Sequence, residues 1–191
     1  MAKYILQSVL LIGATVALLS FDLPAGWFIA GSKPKSYEMG IDKGAGLDGK
    51  NAATIKSIDA KIEGFGTLMQ NSKPDKYLGK RVKMTGYMKS KEVAGWAGFW
   101  LRIDQADSKR ALSFDNMHNR AVKGTINWTK FDIVLDVPAN ATNLAYGALV
   151  SGTGQIWFDN LNFEIVDNSV PLTITSDFAI PSEPTNLSFE N

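Results

Sequence analysis

Short segments in which apolar and polar residues alternate recur along this chain, and they restrict its fold more than any other feature. In "FDIVLDVP" (131–138) the apolar residues at odd positions share one face of a strand, whereas Asp132 and Asp136 take the other face. Pro138 ends this strand because it has no amide proton to donate. With 17 glycines and no helical periodicity after residue 20, the chain is predicted to be an all-β sandwich.

The predicted strands are separated by turn signals rich in Gly, Pro, Asn and Asp, such as "SKPDKYLGK" (72–80) and "VPANATN" (137–143). The segments with strand character are Ala53–Ile62, Phe65–Gln70, Arg81–Ser90, Gly98–Gln105, Ala111–Phe114, Phe131–Val137, Asn143–Ser151 and Gln155–Val166.

The first twenty residues differ from the rest of the chain. Lys3 precedes an apolar run from Tyr4 to Leu19, and the small residue Ser20 follows, which is the pattern of a secretory signal peptide. No Ala-x-Ala motif marks a cleavage point, so an uncleaved membrane anchor is the alternative, since a spanning helix needs roughly 17 to 25 residues. The predicted organisation is a signal peptide at 1–20, a β-sandwich domain at 21–166 and an acidic tail or linker at 167–191. The predicted location is secreted, periplasmic or associated with the cell envelope.

Composition excludes several classes of function. The chain has no cysteine, which rules out disulfides, cysteine nucleophiles and thiolate metal sites. A serine hydrolase triad would have to use His118, the only histidine, and no G-x-S-x-G motif surrounds any serine. The formal net charge of +1 is unevenly spread, since the acidic tail at 167–191 carries −4 and residues 21–166 carry +4, but even this is too mild for a nucleic-acid partner. Binding without catalysis is therefore the expected function.

The stretch "SGTGQIWFDNLNFEIV" (151–166) contains a change of parity. Ile156 and Phe158 occupy even positions, whereas Leu161 and the apolar residues after it occupy odd ones. Because side chains in a strand alternate between the two faces, one inserted residue would keep both sets on the same face. The sequence therefore predicts a β-bulge near Asp159 and Asn160.

Several longer motifs carry a resemblance to a known family. These are "SFDLPAGWFIAGSKPKSYEMGID" (20–42), "GFWLRID" (98–104) and the segment from "NWTKFDIVLDVP" to "IWFDNLNFEIV" (127–166). In this order they resemble the galactose-binding-like jelly rolls found as carbohydrate-binding modules, in particular the CBM4/9-like group, over residues 20 to 166. The resemblance implies a jelly-roll β-sandwich of two antiparallel sheets. It implies a ligand less directly, because one fold serves many functions.

The resemblance also implies a structural calcium ion where the first and last strands approach each other. Asp22 and Asp159 match the acidic positions, and backbone carbonyls around Gly49 and Lys50 are possible further ligands. The alternative is that Asp159 only caps the bulge through hydrogen bonds to nearby backbone.

The segment "GWAGFWLRID" (95–104) is the strongest candidate for a carbohydrate-binding surface. Its odd-numbered apolar residues are expected in the core, which leaves Trp100 and Arg102 on the outer face. An exposed indole beside planar hydrogen-bonding groups suits a sugar ring, which has apolar faces and hydroxyl edges. The alternative is that Arg102 stacks on Trp100 in a structural cation–π contact with no ligand.

Four further residues are predicted to complete this surface: Trp96 as a second aromatic wall, and Gln70, Asp115 and Asn116 as hydrogen-bonding groups. The predicted function is a secreted, non-catalytic, carbohydrate-binding module-like protein that recognises an oligo- or polysaccharide. The alternatives are a protein–protein interaction domain and an accessory domain of a secreted or cell-envelope hydrolase.

The tail after Val166 contains three prolines and no positive charge. It is expected either to cover a sheet edge, as an added strand, or to begin a second module.

Overall fold

The computed structural model describes residues 21–173, and within this range the chain forms nine β-strands and no α-helix. The strands are β1 (Phe28–Gly31), β2 (Tyr37–Asp42), β3 (Ala52–Ser57), β4 (Phe65–Ser72), β5 (Lys80–Asp104), β6 (Ser113–Asp115), β7 (Val122–Val137), β8 (Asn143–Ser151) and β9 (Gln155–Val166). Three single-turn 3₁₀ helices lie at Pro34–Ser36, Asp75–Tyr77 and His118–Arg120. The predicted signal segment at 1–20 lies outside the described residues, as does the tail from 174 onward.

The long strand β5 organises the molecule into two antiparallel layers. Its first half, residues 80–91, pairs with β7 and β9, and β3 and β2 follow β9; these strands form layer I. Its second half, residues 96–104, pairs with β8 and β6, and β4 and β1 follow β8; these strands form layer II. All pairings are antiparallel, and the predicted jelly-roll β-sandwich is confirmed.

A bend in β5 turns the two layers face to face. The pairing with β7 shifts register three times between Met88 and Ala97, and Glu92 has a φ of 53°. A Cβ atom on Gly86 would lie 2.8 Å from Cζ of Phe99, although the two residues would be roughly 40 Å apart in a straight strand. The sequence predicted two separate strands here, because the residues of the bend lack strand character.

The core fills the space between the layers. Phe99 of layer II meets Phe158 of layer I edge to face, with ring centroids 6.0 Å apart, and both side chains are almost completely buried. Leu101 and Ile103 are also fully buried. The alternation predicted for 98–104 is therefore confirmed.

The predicted bulge in β9 is also confirmed. Thr85 pairs with Asn162 and Tyr87 pairs with Asp159, so two residues of β9, Asn160 and Leu161, lie opposite Gly86 alone. Asn160 has a φ of 53°, a left-handed conformation that asparagine tolerates better than most residues. The extra residue keeps the apolar side chains on the core side both before and after the bulge.

The described part of the tail lies against the edge of β7. The Arg81 guanidinium donates to the carbonyl oxygens of Asn168 and Val170, at 2.7 and 2.8 Å. Thr173 donates its amide proton to Val134 at 3.1 Å and accepts the Val134 amide proton on its hydroxyl oxygen at 2.9 Å. Up to residue 173 the tail thus contacts the edge of β7 without forming a strand, and the role of the whole tail stays a prediction.

Two strands near the start of the domain were not predicted. The short strand β1 is an edge strand of layer II, and β2 is an edge strand of layer I. Across residues 21–173, no helix is long and apolar enough to cross a membrane.

Candidate functional site

The outer face of layer II contains a cleft of about 530 Å³. Alternate residues of three neighbouring strands line it, because every second side chain of a strand points to the same face. They are Phe65, Thr67, Met69 and Asn71 of β4, Asn143, Ala145, Leu149 and Ser151 of β8, and Trp96, Trp100, Arg102 and Asp104 of β5. Ala30 and Gly31 of β1 close one side, and Phe114 and Asn116 close the other.

Trp100 forms the floor of the cleft. Its side chain packs with Ala145 and Leu149 in a small apolar cluster, separate from the main core, that Met69 and Trp96 extend. The residue is only 9% exposed. The predicted outward direction of Trp100 is confirmed, but the expectation of a freely exposed platform is wrong, because neighbours on the same face cover most of the indole.

A hydrogen-bond chain fixes the orientation of this indole. Trp100 Nε1 donates to Thr67 Oγ1 at 2.9 Å, and the Thr67 hydroxyl donates in turn to the Ala148 carbonyl at 2.7 Å. Thr67 is itself buried. The edge of the indole is therefore tied to the backbone of β8.

One end of the cleft is polar. Arg102 Nε donates to Asp104 Oδ1 at 2.7 Å, and Arg102 Nη2 donates to the Lys109 carbonyl at 3.1 Å. Asn143 Nδ2 lies 3.4 Å from Asp104 Oδ2. The two charges neutralise each other. Arg102 and Asp104 are separated in β5 by the inward-facing Ile103, so both side chains lie on the cleft side.

The alternative in which Arg102 stacks on Trp100 is wrong. In the part of the chain that the structure describes, the cation–π contacts are made by Lys76 and Lys89, and the guanidinium of Arg102 is held by Asp104 instead. A structural cation–π contact therefore does not explain why Arg102 and Trp100 share this face.

Aromatic side chains form the rims of the cleft. Phe65 is 37% exposed and Phe114 is 39% exposed, and both line the cleft. Trp96 stands edge-on against the His118 ring, with centroids 5.2 Å apart. Neither phenylalanine was predicted from the sequence, and Phe114 faces the cleft because it pairs directly with Arg102, which only the structure shows.

Asp115 was predicted to line the cleft, and the structure corrects this. It pairs with Leu101 across β5 and β6, so it points inward while Phe114 points outward. Its buried carboxylate accepts hydrogen bonds from the Arg120 guanidinium, the Met117 amide and the Thr173 hydroxyl. Asp115 is thus a structural anchor that joins β6 to the tail.

Gln70 is also displaced from the predicted surface. Met69 and Asn71 line the cleft, so Gln70 between them lies on the opposite face of β4, where its amide oxygen accepts a hydrogen bond from the Tyr146 hydroxyl. Asn116, by contrast, lines the cleft as predicted, with its Oδ1 accepting the His118 amide proton at 3.1 Å.

The two carboxylates predicted to bind calcium make other contacts. Asp22 lies 3.7 Å from Lys43 Nζ with both side chains largely exposed. Asp159 Oδ2 accepts the Leu47 amide proton at 3.1 Å, and its Oδ1 accepts the Asn160 amide proton at 2.7 Å. Residues 21–173 contain no group of three or more acidic or histidine side chains that could hold a metal ion. These bonds are those of a capping residue, and calcium binding stays a prediction.

Comparison with known sequences gives one informative relative. The chain is 44% identical over 167 residues to an uncharacterized HTH-type transcriptional regulator, YbfP, of Bacillus subtilis (strain 168). The match covers 86% of this chain and 56% of the relative, so the chain spans about half the length of the curated protein it matches. No protein-family model matches the chain.

Comparison with solved structures identifies the fold. The CBM22-1–CBM22-2 tandem domain of Paenibacillus barcinonensis Xyn10C has a TM-score of 0.56 at 12% identity, over 74% of this chain and 46% of that one. The single CBM22-1 xylan-binding domain of the same protein has a TM-score of 0.54 at 14% identity, over 77% of this chain and 90% of that domain. The enzymatically active domain of tailspike protein 4 from bacteriophage CBA120 has a TM-score of 0.52 at 12% identity, over 74% of this chain and 20% of that one. The chain therefore has the jelly-roll fold of these xylan-binding domains, as the sequence resemblance implied.

Proposed function

We propose that this domain is a non-catalytic carbohydrate-binding domain and that the saccharide occupies the cleft of layer II. The observation that carries the proposal is the lining of the cleft, in which aromatic side chains and planar polar groups face the same 530 Å³ space. Ligand sites are typically concave, largely apolar and supplied with a few convergent polar groups. This cleft has that composition.

The aromatic groups match the apolar faces of a sugar ring. Phe65 and Phe114 are the exposed aromatic side chains at the rims, so a ring that enters the cleft would pack its C–H face on one of them. Trp100 offers little surface of its own and supports the floor. The expected order of importance for stacking is therefore Phe114 and Phe65 before Trp100.

The polar groups match the hydroxyl edge of the same ring. Asn71, Asn116 and Asn143 provide amides that donate and accept hydrogen bonds. Asp104 is the only carboxylate that lines the cleft among residues 21–173, whereas glycoside hydrolysis normally uses a pair of carboxylates. The xylan-binding domains with the same fold support binding without catalysis.

The proposal is tested by titrating the protein with xylohexaose, cellohexaose and mannohexaose while recording tryptophan fluorescence and binding heat. At least one of these saccharides is expected to bind, with Phe114→Ala weakening binding by about tenfold through loss of one aromatic contact. Ile165→Ala is the control, because Ile165 is an apolar residue that is 52% exposed, belongs to β9 of layer I and does not line the cleft. Equal losses in the two variants, or no binding in a broad glycan array, would contradict the proposal.

A second candidate function is ligand sensing within a transcriptional regulator, and the 44% identity to YbfP favours it. In that case the bound saccharide would act as a signal, and a location outside the cell would not be required. A mobility-shift assay with the DNA upstream of the gene for this chain, with and without the saccharide, distinguishes the two candidates. DNA binding that responds to the saccharide would favour the regulator and would contradict the expectation that the chain has no nucleic-acid partner.

Secretion of the protein and binding of a protein partner are proposals that rest on the sequence. Detection of a mature chain that lacks residues 1–20 in the culture medium or cell envelope would support secretion. Co-purification of a protein whose cross-links map to Phe114 would favour a docking role for the same cleft.

A further inference from the structure

The charges inside the cleft are balanced. Arg102 and Asp104 are the only charged side chains that line it within residues 21–173, and they form a pair at 2.7 Å. The Arg102 side chain is 39% exposed and the Asp104 side chain is 20% exposed, so both are accessible from the cleft. An acidic ligand would need a positive charge that is not already neutralised. This cleft does not offer one.

The hydrogen-bonding groups that this pair leaves available suit a hydroxyl group. Arg102 uses Nε and Nη2 in its bonds to Asp104 and Lys109, and Nη1 has no partner within residues 21–173. Asp104 Oδ2 has only the long contact of 3.4 Å with Asn143. The pair therefore offers the cleft one N–H donor and one carboxylate acceptor.

The hydroxyl groups of a saccharide suit both residues, since a hydroxyl can accept a hydrogen bond from Arg102 or donate its own proton to Asp104. An ionised carboxylate or sulfate only accepts hydrogen bonds, so it would be repelled by Asp104 at the position where a hydroxyl would bind. The asparagine amides of the cleft likewise offer both donors and acceptors without charge. The whole lining thus discriminates by hydrogen bonding and not by charge.

We infer that the ligand of the cleft is an uncharged, hydroxyl-rich saccharide, an inference that rests on the proposed function. Its hydroxyl groups form hydrogen bonds with the Arg102–Asp104 pair, and acidic saccharides are excluded. Asp104 is the residue that excludes them, because it cancels the charge of Arg102. Binding of the neutral ligand should therefore be almost independent of ionic strength.

The test compares neutral hexasaccharides (xylohexaose, cellohexaose and mannohexaose) with hexagalacturonate and a hyaluronan hexasaccharide, by calorimetry at low and high NaCl. For the wild type we expect binding of a neutral probe, with a dissociation constant that changes by less than about twofold with salt, and no measurable binding of the acidic probes. In Asp104→Asn we expect neutral binding to weaken and hexagalacturonate binding to appear, at least about tenfold tighter than in the wild type and weakened by salt.

Asp48→Asn is the matched control, because Asp48 is also paired with a cation, Lys50 at 3.1 Å, but lies outside the cleft. It should leave the preference unchanged. Near-UV circular dichroism confirms that each variant is folded, and the salt dependence of the wild type tests the inference without any variant.

Tight, salt-sensitive binding of an acidic probe to the wild type that Phe114→Ala weakens would overturn the inference while leaving the proposed function intact. Neutral binding that survives Asp104→Asn with no gain for acidic probes would also overturn it. Absence of binding to every saccharide would overturn the proposed function and this inference with it.

Discussion

Replacing Thr67 by valine perturbs the floor of the cleft with little change in volume. The Thr67 hydroxyl accepts the indole proton of Trp100 at 2.9 Å and donates to the Ala148 carbonyl at 2.7 Å. Thr67 is 3% exposed and Trp100 is 9% exposed, so solvent can replace neither bond easily. Valine removes both bonds and leaves the buried indole N–H without an acceptor.

The expected cost is about 2 kcal/mol in the free energy of unfolding, because an unsatisfied buried donor costs roughly 1 to 3 kcal/mol. For a domain of this size the melting temperature should fall by about 4 to 8 °C. Urea denaturation followed by tryptophan fluorescence measures the change in free energy. Because the perturbed bond lies in the cleft floor, saccharide binding should weaken in the same variant.

A double-mutant cycle with Trp100→Phe isolates the bond itself. Phenylalanine has no N–H group, so Thr67→Val should cost about 1 kcal/mol less in the Trp100→Phe background than in the wild type. If the two substitutions are additive within about 0.5 kcal/mol, the hydrogen bond does not hold the indole and the reasoning is refuted. Trp100→Ala is less informative, because removal of a packed indole costs roughly 3 to 5 kcal/mol by itself.

Three further predictions concern the support around the cleft. Asp115→Ala should lower the free energy of unfolding by about 2 to 3 kcal/mol, measured by urea denaturation, because it leaves the partly buried Arg120 guanidinium without its carboxylate; an unchanged midpoint would contradict an anchoring role. Calcium binding at Asp159 requires the melting temperature to fall when a chelator is added, and this response to disappear in Asp159→Ala; an insensitive melting temperature would restrict this carboxylate to capping, as in its bond to Leu47. Burial raises the pKa of Tyr37 to about 12, so the folded state holds the phenol proton more tightly than the unfolded chain. Through Tyr37 the free energy of unfolding should therefore fall by up to about 2 kcal/mol as the pH rises from about 10 to 12, and Tyr37→Phe should remove this contribution.

The sequence predicted those features that depend on alternation within one strand. The inward set of Phe99, Leu101 and Ile103 and the outward position of Trp100 follow from the period of two, and the structure has them. The bulge at Asn160 follows from the same rule, because only an inserted residue keeps two sets of opposite parity on one face.

The sequence did not predict the features that depend on which strand lies beside which. Asp115 and Gln70 were chosen for their chemistry, yet each is one residue out of phase with the cleft. Phe114 faces the cleft because its strand pairs with β5 through Arg102, and this register is set by tertiary contacts. A three-residue strand has too few residues for its own alternation to fix its face.

The covering of Trp100 was missed for a related reason. Its exposure depends on Leu149 of β8 and Met69 of β4, which are distant in sequence and come together only in the assembled layer. Alternation gives the side of the sheet on which a residue lies, but not how much of it its neighbours hide.

The shared strand β5 has a consequence for how the domain melts and forms. Each layer contains one half of the same 25-residue strand, so unfolding of one layer disrupts the other. We therefore expect the domain to unfold in a single cooperative transition. Both halves also emerge from the ribosome before β7, β8 and β9, so β5 gains its last partner, β9, only when the chain has been synthesised to about residue 166. Such distant pairings make folding slow, and they leave the nascent chain exposed to misassociation at this strand.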